Sequence, residues 1–172
     1  MEKFTKFYSG IFSNWHFCDF VDENGKKFNC SEQYMMYHKA LTFNDTGIAD
    51  KIMLAPTPRE QKALGRQIRN FKSEVWDAIS KSVVYKGCYF KFEQNPELKA
   101  KLLATAGTTL VECSKDDKIW GIGFYAEAPE SNNRSTWNGT NWLGETLTLL
   151  REDFINDTLK VEPIKWLTTE NQ

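Results

Sequence analysis

The apolar and polar positions from Ser31 to Leu41, Ser-Glu-Gln-Tyr-Met-Met-Tyr-His-Lys-Ala-Leu, repeat with helical spacing, and the chain is read outward from this stretch. At ~100° per residue, Glu32, Met36, Lys39 and Phe43 share a narrow arc, while Tyr34, Tyr37 and Leu41 cover the opposite side. A helix apolar nearly all round is usually buried. Ser31 suits the N-cap, and Glu32 then sits where the helix dipole favours a negative charge. A carboxylate and an ammonium, two turns or about 10 Å apart along the axis, are thus expected on an inward face. Burying charge costs several kcal/mol unless the groups are paired or face a polar cavity. The plainer reading is a glutamate serving the dipole and a lysine reaching for water.

Around this helix the pattern predicts an α+β chain: a small antiparallel sheet with several packed helices in a single domain. Phe4 to Tyr8 alternates as a short strand, and Ser9-Gly10 is a turn. Phe17 to Val21 and Lys27 to Cys30 make a hairpin around Asp22-Glu23-Asn24-Gly25, with its Asn-Gly turn signal. Ile48 to Ala55 is a short helix stopped by Pro56. Thr57-Pro58-Arg59-Glu60 is a capping box that opens a helix to about Asn70. Ser73 caps a long helix reaching Phe92, with Gly87 as a weak point, and Asn95-Pro96 starts another ending near Gly107. Thr108 to Cys113 and Ile119 to Phe124 are strand candidates around a polar turn. Residues 125–136 form a long polar loop, the segment expected to move. A last helix runs from Leu143 to about Phe154, giving a core over about 6–154 and a tail over 155–172.

Composition narrows the function classes. A length of 172 residues suits one domain with a real core, and a net charge of −1 gives no global attraction to nucleic acid or anionic lipid. No apolar run approaches the ~20 residues that span a bilayer, and the N-terminus lacks the apolar stretch of a signal peptide. The scattered Cys18, Cys30, Cys88 and Cys113 read as reduced packing residues of a cytoplasmic protein. Two histidines make a histidine-based metal site improbable, and no metal or other cofactor is expected.

No Walker, dinucleotide-binding, HExxH or GxSxG pattern occurs. The segment from Glu112 to Gly123 places Glu112, Asp116 and Asp117 beside Trp120-Gly121-Ile122-Gly123. The glycines would let something approach the backbone, although a solvated hairpin tip is the plain alternative. Asn138 to Gly144 offers amides and free helix N–H groups suited to a phosphate or a base edge, against ordinary capping chemistry. Several motifs occur in a fixed order: Phe12-Ser13-Asn14; Ser31-Glu32-Gln33 with Lys39-Ala40; Trp76; Lys91-Phe92; Leu110-Val111-Glu112 with Asp117 and Trp120-Gly121-Ile122-Gly123; and Trp137-x-Gly139-x-Asn141-x-x-Gly144. This succession resembles the NADAR (NAD- and ADP-ribose-associated) family over roughly Lys6 to Asp153. Gln33 departs from the family, which more often has His there.

The resemblance implies an N-glycosidase that cleaves the bond between a ribose carbon and a base nitrogen. The substrate classes it implies are ribosylamino intermediates of riboflavin synthesis and ADP-ribose attached to guanine in nucleic acid. It points to Glu32, Lys39 and Asp117 as catalytic residues. It points to Ser13, Asn14, Trp76, Glu112, Trp120, Gly121, Gly123, Trp137 and Asn141 as substrate contacts. The chemistry is consistent: a fixed carboxylate stabilises an oxocarbenium-like ribose or activates water. Lys39 is either a nucleophile of lowered pKa or a phosphate clamp. Trp120 could stack on a base, and Glu32, Lys39 and Trp120 are expected to line one cleft. A non-catalytic ADP-ribose or nucleotide-binding module, and a plain interaction protein with an aromatic core, are the competing classes. No membrane and no obligate protein partner are expected.

Overall fold

The computed structural model describes residues 1–161. Among these residues, six α-helices and four short strands make an α+β architecture. The strands do not form one antiparallel sheet. β1 (Phe4–Phe7) pairs in parallel with β4 (Thr109–Glu112), whereas β2 (Phe20–Val21) and β3 (Lys27–Phe28) pair antiparallel around the Asn24-Gly25 turn. Sequence distance permits the parallel pairing. The two strands lie about a hundred residues apart, and no tight turn dictates their direction. The chain divides into two compact units, one of residues 1–16 with 95–158, the other of residues 17–94 with 159–161.

In the second unit, α1 (Ser31–Thr42) packs on α2 (Thr46–Leu54), α3 (Pro58–Gly65) and α4 (Ser73–Glu93). Helix α1 is buried from Ser31 through Met36, its polar first three residues included. Its N-cap is Cys30, one residue before the expected Ser31, and no side chain caps it. The Thr57–Glu60 capping box forms as the sequence indicates, with Pro58 in the first turn. Helix α3 nevertheless stops at Gly65 rather than near Asn70, which adopts a left-handed φ of 57°. Gly87 does not weaken α4. A Cβ there would lie 2.6 Å from the Tyr34 ring, so its absence lets α1 and α4 close together. Tyr34 in turn belongs to an aromatic cluster with Phe20, Phe28, His38 and Phe90.

In the first unit, α5 (Pro96–Leu103) and α6 (Trp142–Asn156) accompany the β1–β4 ladder, and α6 packs on β4. The second strand expected over 119–124 is absent; these residues form bends. The loop over 125–136 contains two 3-10 turns, Pro129–Asn132 and Arg134–Thr136. It is tied down at several points. Lys6 Nζ donates to Ser131 Oγ at 2.8 Å and to Asn132 Oδ1 at 2.7 Å, and Arg134 pairs with both Glu2 and Glu145.

Candidate functional site

Helix α1 brings Glu32 and Lys39 into one electrostatic neighbourhood, as their seven-residue spacing requires. Glu32 is only 4% exposed although it stands in the first turn. Lys39 is half-buried. Its ammonium donates to the carbonyl of Gly65 at 3.2 Å, the last residue of α3, and lies 4.6 Å from the centre of the Phe71 ring. It thereby caps the negative end of that helix. Burial pushes the Lys39 pKa below its ordinary range. The nearby Glu32 charge opposes this, and the Arg66 and Lys62 charges add to it. Among the described residues, no carboxylate forms an ion pair with Lys39.

Gln33, the departure from the family pattern, has a local structural role. Its side-chain carbonyl accepts the Asn29 N–H at 2.9 Å, and its amide donates to the Ile52 carbonyl at 3.1 Å. It ties the entry of α1 to the end of α2. Trp76 is buried in α4. The same helix holds a residue to which spacing alone assigns no role: Lys91, at 0% exposure. Burial pushes its pKa down, and the thiols of Cys88, Cys18 and Cys30 pull the other way. The Cys30 thiol is itself pushed up to about 11 by burial. A signal was available in the sequence. Val84, Cys88 and Lys91 recur at helical spacing, which puts the lysine on the inward stripe of an apolar helix.

In the first unit, Ser13 and Asn14 are buried after the turn that follows β1, and Ser13 Oγ accepts the Trp15 N–H at 3.1 Å. Asp117 is half-buried, and its Oδ1 accepts the N–H groups of Ile119 at 2.9 Å and Trp120 at 2.7 Å. Trp120 packs edge-on against Trp142 at 5.7 Å. Trp137 is half-buried against Phe4, with its ring under the Arg134 guanidinium. The Glu112 Oε2 atom is closed off from solvent.

The Gly121-Ile122-Gly123 stretch does let something approach its backbone: the chain's own residues 138–143. The N–H groups of Asn138, Thr140, Asn141, Trp142 and Leu143 donate to the carbonyls of Ile122, Lys118, Gly121, Ile119 and Trp120. A Cβ on Gly139 would meet the Gly121 carbonyl oxygen at 2.3 Å, and one on Gly144 would meet the Leu110 oxygen at 2.1 Å. The fully buried Asn141 completes the closure. Its Oδ1 accepts the Glu112 N–H at 2.9 Å, and its Nδ2 donates to the Leu110 carbonyl at 3.0 Å. The loop amides expected to be available for a phosphate or a base edge are therefore engaged within the protein. The motif from Trp137 to Gly144 works as a fastener that fixes the 118–123 segment on α6 and β4.

Six helices with short strands among the described residues make an α+β fold in which one helix carries a buried glutamate and a half-buried lysine beside an aromatic ring. The chain belongs to the NADAR family: the model of the NADAR domain matches residues 3–155. It is similar to Protein irg-1 of Caenorhabditis elegans, 40% identical over 157 residues that cover 87% of this chain and 74% of that one. It is also similar to N-glycosidase R617 of Acanthamoeba polyphaga mimivirus, 42% identical over 147 residues that cover 83% of this chain and 86% of that protein. The NMR structure of the Escherichia coli protein YbiA superposes with a TM-score of 0.73 at 30% identity, covering 96% of this chain and 93% of that one.

Proposed function

We propose that this hydrolase of N-glycosyl compounds cleaves the bond between a ribose carbon and a base nitrogen. Its substrate would be either a ribosylamino-pyrimidine of riboflavin synthesis or ADP-ribose joined to guanine in nucleic acid. The family membership supports the reaction class. The single observation that carries the reading is a carboxylate, Glu32, held 4% exposed at the start of a buried helix beside a half-buried lysine. As the bond to the base breaks, positive charge develops on the ribose, and a carboxylate in a water-poor setting stabilises it far better than one in solvent. The departing base nitrogen takes up a proton, and the ribose carbon receives either water or an amine.

Two lysines are candidates for that amine. Lys39 has a pKa lowered by burial, but its ammonium already holds the Gly65 carbonyl. Lys91 is wholly enclosed, and burial lowers its pKa too. Attack by a neutral lysine would form a C–N bond at the ribose carbon as the base leaves. Ring opening would then give an imine that water hydrolyses. Asp117, with one oxygen committed to two loop amides, is assigned to shaping the loop that carries Trp120. Ser13, Asn14, Glu112, Trp120, Trp137 and Asn141 remain candidates for substrate contact, directly or by fixing the backbone around it.

The test is to incubate the pure protein with a ribosylamino-pyrimidine phosphate and, separately, with ADP-ribosylated guanine DNA. Released base or ADP-ribose is the readout. Release from neither, with both ligands nonetheless bound, would favour the non-catalytic binding module. Borohydride added during turnover decides the amine. Loss of the trapped adduct in Lys39→Arg or in Lys91→Arg identifies the nucleophile, and cleavage without any adduct assigns the attack to water.

A further inference from the structure

The turn that carries Glu32 is held from outside its helix by a network of side-chain amides. Cys30 is the N-cap of α1, yet its side chain caps nothing. Its thiol donates instead to Gln61 Oε1 at 3.1 Å. Burial holds that thiol protonated, and the Glu32 charge acts in the same direction. Gln61 stands on α3 at 0% exposure. Its amide nitrogen donates to Asn29 Oδ1 at 3.0 Å and to the Ala55 carbonyl at 2.9 Å. Asn29 Nδ2 donates in turn to the Pro56 carbonyl at 3.1 Å. On the other side of Glu32, Gln33 accepts the Asn29 N–H and donates to the Ile52 carbonyl. Residues 29, 30 and 33 are thus tied to the segment 52–61, with Glu32 between them. A methionine or leucine would fill a buried place on α3 without needing partners. A glutamine with every hydrogen bond made fixes one arrangement of its neighbours, because amide bonds are directional where apolar contacts are not.

We propose that Gln61 is a positioning residue for Glu32: through Cys30 and Asn29 it fixes the first turn of α1, and with it the place of the carboxylate that faces the developing charge on the ribose. The role of that carboxylate rests on the glycosidase reading; the hold of Gln61 on the turn rests on the hydrogen bonds alone. Position matters here because electrostatic stabilisation depends on a fixed distance to the reacting carbon. A misplacement of about 1 Å can cost on the order of 100-fold in rate. Gln61 itself touches no reacting atom in this account, since its side-chain oxygen and nitrogen are engaged by Cys30, Asn29 and Ala55.

The experiment uses the whole protein and whichever N-glycoside it cleaves. Gln61→Met keeps the length and burial of the side chain and removes its three hydrogen bonds. We expect kcat to fall roughly tenfold with KM little changed. In the Glu32→Gln background the same substitution should change kcat by less than about twofold, because the carboxylate it positions is gone. An equal fall in both backgrounds, or none in either, overturns the proposal and leaves the glycosidase reading standing. The control is Gln94→Met, which removes a glutamine clamp of 2.9 and 2.8 Å on the Val21 backbone in the same unit. Its kcat should equal that of the unaltered protein, and a fall matching that of Gln61→Met overturns the proposal. Should Gln61→Met not fold, Asn29→Ala carries the same comparison, since it removes the oxygen that Gln61 holds from a half-exposed position. Hydrogen exchange decides independently of turnover. The Asn29 and Tyr34 amides, bonded to Gln33 Oε1 and the Cys30 carbonyl, should exchange about tenfold faster in Gln61→Met, while those of β1 stay unaltered. Faster exchange without cleavage of any N-glycoside removes the glycosidase reading and upholds the hold of Gln61 on this turn. Unaltered exchange overturns it.

Discussion

Glu32 at 4% exposure and His38 with a buried Nε2 lie six residues apart on α1, and each makes a prediction at the scale of one side chain. Glu32→Gln keeps the volume and most hydrogen bonding while removing the charge. If the carboxylate stabilises the oxocarbenium, kcat should fall roughly 100-fold or more, as for loss of one preorganised electrostatic group. The circular dichroism spectrum should stay the same. Turnover equal to that of the unaltered protein would remove Glu32 from the mechanism. His38 lies among the rings of Phe28, Tyr34 and Tyr37, and burial lowers its pKa. With a folded pKa below the unfolded value of about 6.5, the unfolded chain takes up the proton first as pH falls. The stability His38 contributes is therefore present above about pH 6.5 and lost as pH drops toward the folded pKa. His38→Phe should flatten the decline of the urea midpoint between about pH 6.5 and 5. The carboxylates of Glu2, Glu23 and Asp45 are held below their ordinary range and should not titrate in that window. The same slope in protein and variant would show that His38 takes no part in it.

At the scale of elements, two features were set up by local chemistry and one by close approach. Thr57 accepts the Glu60 N–H while the Glu60 carboxylate accepts the Thr57 N–H, so Thr57→Ala should cost about 1 kcal/mol of stability in a denaturant titration. Asp45 caps α2 and also receives Arg69, which binds the start of one helix to the loop after another. The fastener from Gly139 to Gly144 is a different case. A methyl group on Gly144 would sit 2.1 Å from the Leu110 oxygen and 2.5 Å from Asn141 Oδ1, so backbone must move. Gly144→Ala should destabilise by roughly 1–3 kcal/mol, in the range of overpacked cores. Gly47→Ala is the control, because its Cβ would meet nothing nearer than Asp45 Oδ1 at 3.9 Å, inside a helix that favours alanine. Equal midpoints for the two variants would refute the reading of residues 137–144 as a close-packed fastener.

For the molecule as a whole, the charge of −1 provides no long-range pull on a polyanion, so any anionic substrate depends on local clusters. No helix among the described residues is long and apolar enough to cross a membrane. Nor do any three His, Cys, Asp or Glu side chains among them gather as metal ligands. N-glycoside cleavage should therefore survive exhaustive dialysis against a chelator. Loss of turnover restored by a divalent cation would overturn this expectation.

The sequence by itself determined the helices and what begins them. Helical spacing places α1, α3, α4 and α6, and the Thr57 box and the Asn24-Gly25 turn are local signals that need no partner to be read. It also determined the inward position of Glu32 and, through the ordered motifs, the family. Tertiary structure decided what depends on a distant partner. The direction of β4 against β1, the loss of a strand at 119–124 and the commitment of residues 138–143 to the carbonyls of 118–122 all join segments with no fixed spacing. The same holds for side chains with more than one physical use. Asn141 can read a ligand or staple a strand, and only its burial against the Leu110 and Glu112 backbone shows the staple. Lys39 gains its neighbours Gly65 and Phe71 from helix packing, and Lys91 gains its enclosure from the elements that cover α4. Periodicity tells which way a side chain points, but contact with a residue far along the chain is a property of the folded state alone.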